Sequence, residues 1–493
     1  MGLAPPKTHQ FCNPLMSKTL IIAEKPSVAA DLARALGKFK KVEDWYENED
    51  CIIGSAVGHL VELCMPQDID PAFKSWKPAL LPILPPQFPL KPIEKNKRKF
   101  DQLRQLMRRA DVTEVINACD AGREGELIFA YLYELAGCKK TIRRLWMQSM
   151  TQEAIREAFK HLREHSEMIP LQEAARCRSE SDWLIGINGT RAITGAMFPG
   201  RMGQIATVGR VQTPTLTLVT ERENQIQAFK PQPYWRITGQ FQIHAGHYEG
   251  IYQRPDFKKA VHEEDRIDRI WEKEAAEAVL QSLPAGLQGE VTEEKKRTKQ
   301  QSPRLYNLTG LQREANSRFG FPAGMTLKIA QSLYEKHKVL TYPRTDAKAL
   351  PEDYGPECQK VLKSLQGEYA PHAQTVLQHG WVNPKNKQVF NNTQVSDHFA
   401  IIPTEQSPEK LSLEEQKIYD MVTRRFLAVF FPAAEFDVTL RKTRVQDHLF
   451  KTEGRILAVP GWMQVYGRQE SAQDALPALS PQDGAPPQAK LLQ

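Results

Sequence analysis

No segment of the sequence approaches the roughly 20 consecutive apolar residues that a membrane span needs. The longest helical apolar stretch, Leu127 to Gly137, is short and carries Glu134. The first residues, MGLAPPKTHQFCNPLM, hold no apolar h-region and do not read as a secretory signal, and Met16 reads as an alternative start just ahead of SKTLIIAEKPS. Cysteine is scarce: seven residues (12, 51, 64, 119, 138, 177 and 358) in a chain of 493, with no CxxC pair among them. That excludes a disulfide scaffold, argues against a zinc ribbon or finger within the chain, and fits a reducing cytoplasm. A GxxxxGK[ST] phosphate loop is also missing, which argues against a P-loop ATPase. No repeat of fixed period is visible.

What remains is an ordinary globular composition, 41% hydrophobic and 25% charged, long enough for about three domains at roughly 150 residues each. Lys+Arg exceed Asp+Glu by 66 to 59, a surplus compatible with a polyanionic partner but meaningful only where it clusters. Short apolar strands (Thr19–Ala23, Val112–Cys119, Ile142–Trp146) alternate with helical spacing over Val28–Leu36 and Glu124–Ala136. That alternation predicts an α/β unit with a largely parallel sheet. The proline-rich Phe73–Pro92 reads as an ordered loop. Beyond residue 151 helices dominate, Tyr234–Tyr252 reads as strands, and the polar Glu293–Arg304 reads as a linker or hinge. Helices follow over Gly324–His337 and 411–430, while the Pro/Ala/Gln-rich Arg468–Gln493 reads as disordered.

Three patterns could carry chemistry. Asp120-Ala121-Gly122-Arg123-Glu124 lies where a strand gives way to a helix, and Glu24-Lys25 ends the first strand. Ligands of open parallel sheets gather at the carboxyl ends of strands, so these acids could converge on one Mg2+. The alternative is that Asp120 and Glu124 simply complement a helix dipole. Thr341-Tyr342-Pro343-Arg344-Thr345-Asp346 follows a helix; its proline holds Tyr342 extended, and Arg344 could meet a phosphate bidentately. A loop anchor is the plainer role for such a tyrosine. Finally, Arg176, Arg178, Arg191, Arg201 and Arg210 accumulate among Trp183, Asn188 and Gln212, a composition suited to a single-stranded nucleic-acid groove or, equally, to a solvated structural face. His59 in GSAVGHL and His398 in SDHFAIIPT remain open between structural and functional roles.

Taken in order, SKTLIIAEKPSVAADLARAL, GHLVEL, ACDAGREGELIF, RLWMQSMTQEAI, ARCRSESDWLIGINGTRAIT, VGRVQTPTL, LTYPRTDA and SDHFAIIPT resemble the type IA DNA topoisomerases, bacterial topoisomerase III in particular. The resemblance runs from Lys18 to about Tyr466 and implies a multidomain α/β plus α+β chain, a toprim domain joined to a toroidal core. It implies a flexible extension (1–16), the toprim domain (17–160), a helical DNA-groove segment (161–232), a β-rich arch (233–303, returning over 433–467), a tyrosine-bearing gate domain (304–432) and a disordered tail (468–493). It makes Tyr342 the nucleophile, with Glu24, Lys25, Arg344 and His398 beside the scissile phosphate, and Glu24, Asp120 and Glu124 as Mg2+ ligands. DNA contacts fall to His59, Arg178, Asp182, Thr190, Arg191, Arg210, Gln212 and Arg344. The implied activity is ATP-independent cutting, passage and resealing of a DNA strand, in the bacterial cytoplasm, by a chain expected to be monomeric, with a helicase partner left open. Two departures stand out. Many family members carry Asp-x-Asp-x-Glu where this chain has Gly122 at the centre, although DAGREGE itself resembles a topoisomerase III variant, and the family core normally continues past the equivalent of Tyr466. The latter implies a C-terminally truncated chain, and the alternative is a single-stranded DNA-binding remnant.

Overall fold

The computed structural model describes residues 17–147, 150–199, 203–258, 264–395, 397–467 and 475–493. Two compact units emerge. The first holds residues up to Gln227 together with Arg344–Pro356 and Pro384–Ala400; the second holds Ala228–Pro343, Glu357–Asn383 and Ile401–Gln493.

The first unit is built on β1 (Lys18–Ala23), α1 (Pro26–Leu36), β2 (Lys40–Val42), β3 (Trp45–Glu47) and β4 (Cys51–Ser55), then β5 (Val61–Leu63), α2 (Pro66–Ile69), β6 (Leu90–Pro92) and α3 (Lys97–Arg108). It continues with β7 (Val112–Ala118), α4 (Arg123–Ala136), β8 (Thr141–Arg144), α5 (Gln152–Lys160), β9 (Arg163–Glu164), α6 (His165–Met197) and α7 (Gln212–Ala228), the last residue of which falls in the second unit. The sheet runs in the order β2-β3-β4-β1-β7-β8-β9, with β4, β1, β7 and β8 parallel. Side chains alternate across a strand, and both faces of β1 are covered. Leu20 and Ile22 pack with Phe100, Leu103, Leu127 and Ile128 from α3 and α4. Ile21 and Ala23 pack with Ala29, Leu32 and Ile155 from α1 and α5. The near-continuous apolar run TLIIA is thus the signature of a strand buried on two sides. From β1 the chain builds outward through β4 on one side and through β7 on the other, which makes the β1/β7 pair a topological switch point.

The second unit contains β10 (Thr238–Ile243), β11 (Gly246–Gln253), α8 (Lys273–Gln281), β12 (Gln288–Gln300), α9 (Leu308–Phe319) and α10 (Ala323–Glu335). After them come α11 (Gly355–Ser364), whose first residues belong to the first unit, α12 (Ala370–Gln378), α13 (Leu413–Ala428), β13 (Ala434–Val445), β14 (His448–Val459) and β15 (Gln488–Leu491). Six strands close a barrel in the order β10-β11-β14-β13-β12-β15 around Phe241, Tyr248, Tyr252 and Phe450. A separate helical core joins α9, α10 and α13 through Leu311, Leu333, Ile418 and Val422.

Two expectations fail here. Glu293–Arg304 is no linker over most of its length: β12 pairs with β13 along residues 290–300, Glu293 pairs with the buried Arg441, and outward-facing charges form ion pairs such as Arg297–Asp437 and Lys442–Glu294. A strand on a barrel needs only one apolar face, and only its first residues supply one. The tail is not disordered where it is described. β15 pairs with β10 and β12 and buries Ala489 and Leu491 completely or nearly so. Residues 1–16 and 468–474, also expected to be loose, lie outside the described residues.

Candidate active site

The ends of β1 and β7 bring two carboxylates together. Glu24 is buried at the end of β1, and its Oε2 accepts from the Asp120 backbone amide at 3.3 Å. Lys25 Nζ donates to Asp120 Oδ2 at 2.6 Å and stands 3.7 Å from Glu24 Oε1. His398 Nε2 lies 3.3 Å from the same Asp120 oxygen, and the His398 carbonyl accepts from the Thr345 hydroxyl at 3.0 Å. Four residues expected at the site from three separate sequence motifs are therefore one cluster.

Its electrostatics separate the two acids. Burial pushes the Glu24 carboxyl above the ordinary carboxylate range, and the Asp120 charge adds to this against the pull of Lys25. Burial works in the same sense on Asp120, but the hydrogen bond from His398 and the Lys25 ammonium outweigh it and hold Asp120 at about 2. Two neighbouring carboxyls, one inclined to keep a proton and one firmly ionised, are suited to acid and anchoring roles respectively.

The loop that presents Asp120 is clamped from below by residues with no evident signal in the sequence. Arg144 is 1% exposed; its Nε donates to Glu126 Oε1 at 2.5 Å, and its other nitrogens donate to the carbonyls of Asn117, Cys119, Asp120 and Leu145 at 2.7–3.1 Å. Asn117 in turn donates to Glu126 at 3.2 Å and accepts from the Cys119 amide. Glycine is required twice in this turn. A Cβ on Gly125 would run into the Asp120 carbonyl, and one on Gly122 would overlap both carboxylate oxygens of Asp397.

The remaining expected residues are placed as follows. Glu124 is exposed and pairs with His59 at 3.5 Å, at the start of α4. Asp182 and Arg210 form an exposed ion pair, with the Arg178 charge close enough to help hold the Asp182 carboxyl down. The Thr190 hydroxyl accepts from the Val208 amide at 2.9 Å, and Gln212 opens the exposed helix α7. Arg191 departs from its expected place in an open groove. It is 5% exposed, donates to the Phe73 carbonyl at 2.8 Å and stacks over Trp76, so its guanidinium serves to hold the 73–76 turn. Arg201 lies outside the described residues.

Tyr342 and Arg344 flank the division between the units: Tyr342 belongs to the second, Arg344 and His398 to the first. Lys338, at φ 59, ends the turn after α10, and Leu340 then bridges to Pro403 while Thr341 exchanges hydrogen bonds with Ile402 at 3.0 and 2.9 Å. Tyr342 follows outside any helix or strand, its ring edge-on to Tyr334 at 5.3 Å, and Arg344 is exposed.

The donor set fits a hard divalent cation. Glu24 and Asp120 already direct oxygens at one positive charge, the Lys25 ammonium, and Mg2+ commonly takes one or two carboxylates while keeping several waters. Among the described residues, no three His, Cys, Asp or Glu side chains stand ready-grouped for a metal. Nor, among them, is any helix long and apolar enough to cross a membrane.

Comparison with known proteins adds family evidence. A toprim domain model matches residues 19–150 and a DNA topoisomerase model matches residues 166–491, so the likeness extends beyond the expected limit at Tyr466 and includes β15. The DNA topoisomerase 3 of Bacillus subtilis is 40% identical over 479 residues, covering 95% of this chain and 63% of the relative. That of Bacillus cereus is 39% identical, covering 92% and 60%. The chain thus spans about three-fifths of the length of these curated relatives. Among solved structures, full-length topoisomerase I of Thermotoga maritima matches with a TM-score of 0.60 at 20% identity, over 96% of this chain and 70% of that one, a likeness of fold.

Proposed function

Because this chain belongs to the DNA topoisomerase family, with a toprim domain ahead of the topoisomerase body, we propose that it cuts one DNA strand transiently through Tyr342, lets another strand pass and reseals the break without ATP. The observation that carries this reading is the Glu24–Lys25–Asp120–His398 cluster at the β1/β7 switch point.

In the forward step the Tyr342 phenol oxygen attacks the scissile phosphorus, its proton passing to solvent, and the ribose 3′-oxygen leaves. A phenol is a weak nucleophile, so the phosphate must be made more electrophilic and its charge compensated. Lys25, Arg344 and His398 are donors suited to the nonbridging oxygens. Glu24, its carboxyl raised by burial, gives the leaving oxygen its proton and takes it back on religation. The 5′-phosphotyrosyl bond that forms is close in energy to the phosphodiester broken, which is why no nucleotide is consumed. Glu24 and Asp120 would hold a Mg2+ ion, which would supply positive charge toward the phosphates and help align the strand. The DNA substrate is a single-stranded segment within negatively supercoiled or catenated molecules, bound along the Arg178–Asp182–Arg210 face and Gln212.

The test is incubation of the protein with negatively supercoiled plasmid and Mg2+, part of each reaction being stopped with SDS. Relaxation with a protein-linked nick, both lost in Tyr342→Phe, is the expected result. Free nicks that persist in Tyr342→Phe would overturn the tyrosine mechanism. DNA binding with neither signal would favour the DNA-binding remnant instead.

A further inference from the structure

At the centre of the acidic motif this chain has glycine where the family pattern carries its second aspartate. Gly122 is extended (φ −164°, ψ 179°), a conformation open to any residue, so the backbone does not call for glycine there. The space does. A Cβ on residue 122 would overlap both oxygens and the carboxyl carbon of Asp397. The volume in which an acidic side chain at 122 would begin is therefore filled, and what fills it is itself a carboxylate.

Asp397 comes from a distant part of the sequence but from the same unit. Its loop is held on the C-terminal side: the Thr345 hydroxyl donates to the His398 carbonyl at 3.0 Å, and the Ala400 amide donates to the Ala349 carbonyl at 3.0 Å. The adjacent His398 ring reaches Asp120 at 3.3 Å, so the loop is tied to the acidic turn by its next residue as well. Asp397 also stands within electrostatic range of His398, Asp120, Arg123 and Glu124, so that two carboxylates face it as well as two basic side chains. Placing a third carboxylate near two others is unfavourable unless a cation or donor compensates the charge. A hydrated divalent ion does so at low cost, since it accepts carboxylates either directly or through its retained waters.

We propose that Asp397 supplies, from the SDHFAIIPT loop, the acidic group that the Asp-x-Asp-x-Glu pattern places at position 122, so that a divalent ion held by Glu24 and Asp120 would draw in Asp397 as a third carboxylate, a set that does not stand ready-grouped among the described residues. The inference rests on the Mg2+ reading given above and assigns it a ligand from outside the acidic motif. Glycine at 122 and aspartate at 397 are then one feature: either position can carry the carboxylate, and the two cannot both carry it without displacement.

The experiment is a Mn2+ titration of the full chain, read by electron paramagnetic resonance of free Mn2+ without DNA, on wild type, Glu24→Gln, Asp397→Asn, and Gly122→Asp combined with Asp397→Gly. Thermal melts followed by circular dichroism check that each variant is folded. Asp397→Asn is expected to weaken Mn2+ binding about tenfold, in the range seen when groups around a metal are removed. The double variant is expected to recover most of that loss by returning the carboxylate to residue 122. Wild-type affinity in a folded Asp397→Asn, with Glu24→Gln weakened, would overturn this inference alone. Unchanged affinity in both single variants would overturn the ion site itself. Because no step of DNA cleavage enters the readout, either result is separable from the Tyr342 test.

Discussion

At the scale of single residues, Glu47 shows how the unit manages charge. Glu47 on β3 accepts hydrogen bonds from both terminal guanidinium nitrogens of Arg109 at 2.8 and 3.1 Å and from the Lys18 ammonium at 2.8 Å. The Arg109 hydrogen bonds are the main reason its carboxyl is held at about 2, with burial working in the opposite sense. A carboxyl depressed in the folded state contributes stability that is present above its unfolded value near 4.5 and is lost as pH falls through about 2. Glu47→Gln should therefore lower stability by about 1–2 kcal/mol at pH 7, after allowance for partial exposure. The gap to wild type should close progressively between pH 4.5 and pH 2, as followed by urea denaturation. A gap independent of pH would mean that shape rather than charge is at stake.

At the scale of elements, the turn between β7 and α4 depends on a side chain from β8. Arg144 and Glu126 are both essentially buried, and Arg144 also gathers four backbone carbonyls. Removing one partner of a buried ion pair leaves the other uncompensated, so Arg144→Met should cost about 3–5 kcal/mol, measured as a shift in urea midpoint. Replacing both residues with apolar ones should cost less than that single change. Nothing in the sequence points to this pair, because Arg144 sits in a short strand, TIRR, where a charged residue normally signals an exposed face. By contrast, β1, β7 and the helices after them were legible from their apolar patterning, and Glu24 and Asp120 from the motifs that end the two strands, whereas His398 was singled out only by the family resemblance. The barrel was legible only in part. β12 reads as a linker because most of its residues are charged, and β15 reads as disordered because local composition does not register a partner strand about two hundred residues away. Arg191 was misplaced for a related reason: a sequence does not distinguish an arginine that faces solvent from one that packs on Trp76.

At the scale of the whole molecule, the first unit takes in Arg344–Pro356 and Pro384–Ala400 as well as its N-terminal stretch. A fragment of residues 17–227 retains the parallel sheet, Glu24 and Asp120, but it lacks Arg344, Asp397 and His398. Its sheet should fold, giving a cooperative melt by circular dichroism, while its Mn2+ affinity should fall about tenfold below that of the full chain. Equal affinity would mean that the ion site is encoded entirely within the N-terminal stretch.

The division of the chain between Pro343 and Arg344 has a bearing on protein engineering. The tyrosine and the arginine next but one to it are inherited as one short word of sequence, yet they are issued to different bodies. No single stretch of gene encodes either body, so neither can be cloned out, shuffled or swapped with a relative as a cassette. Recombinants that exchange only the N-terminal stretch would pair an acidic turn from one parent with the Asp397–His398 loop of another. The viable ones should be those whose parents agree on which position, 122 or 397, carries the acid.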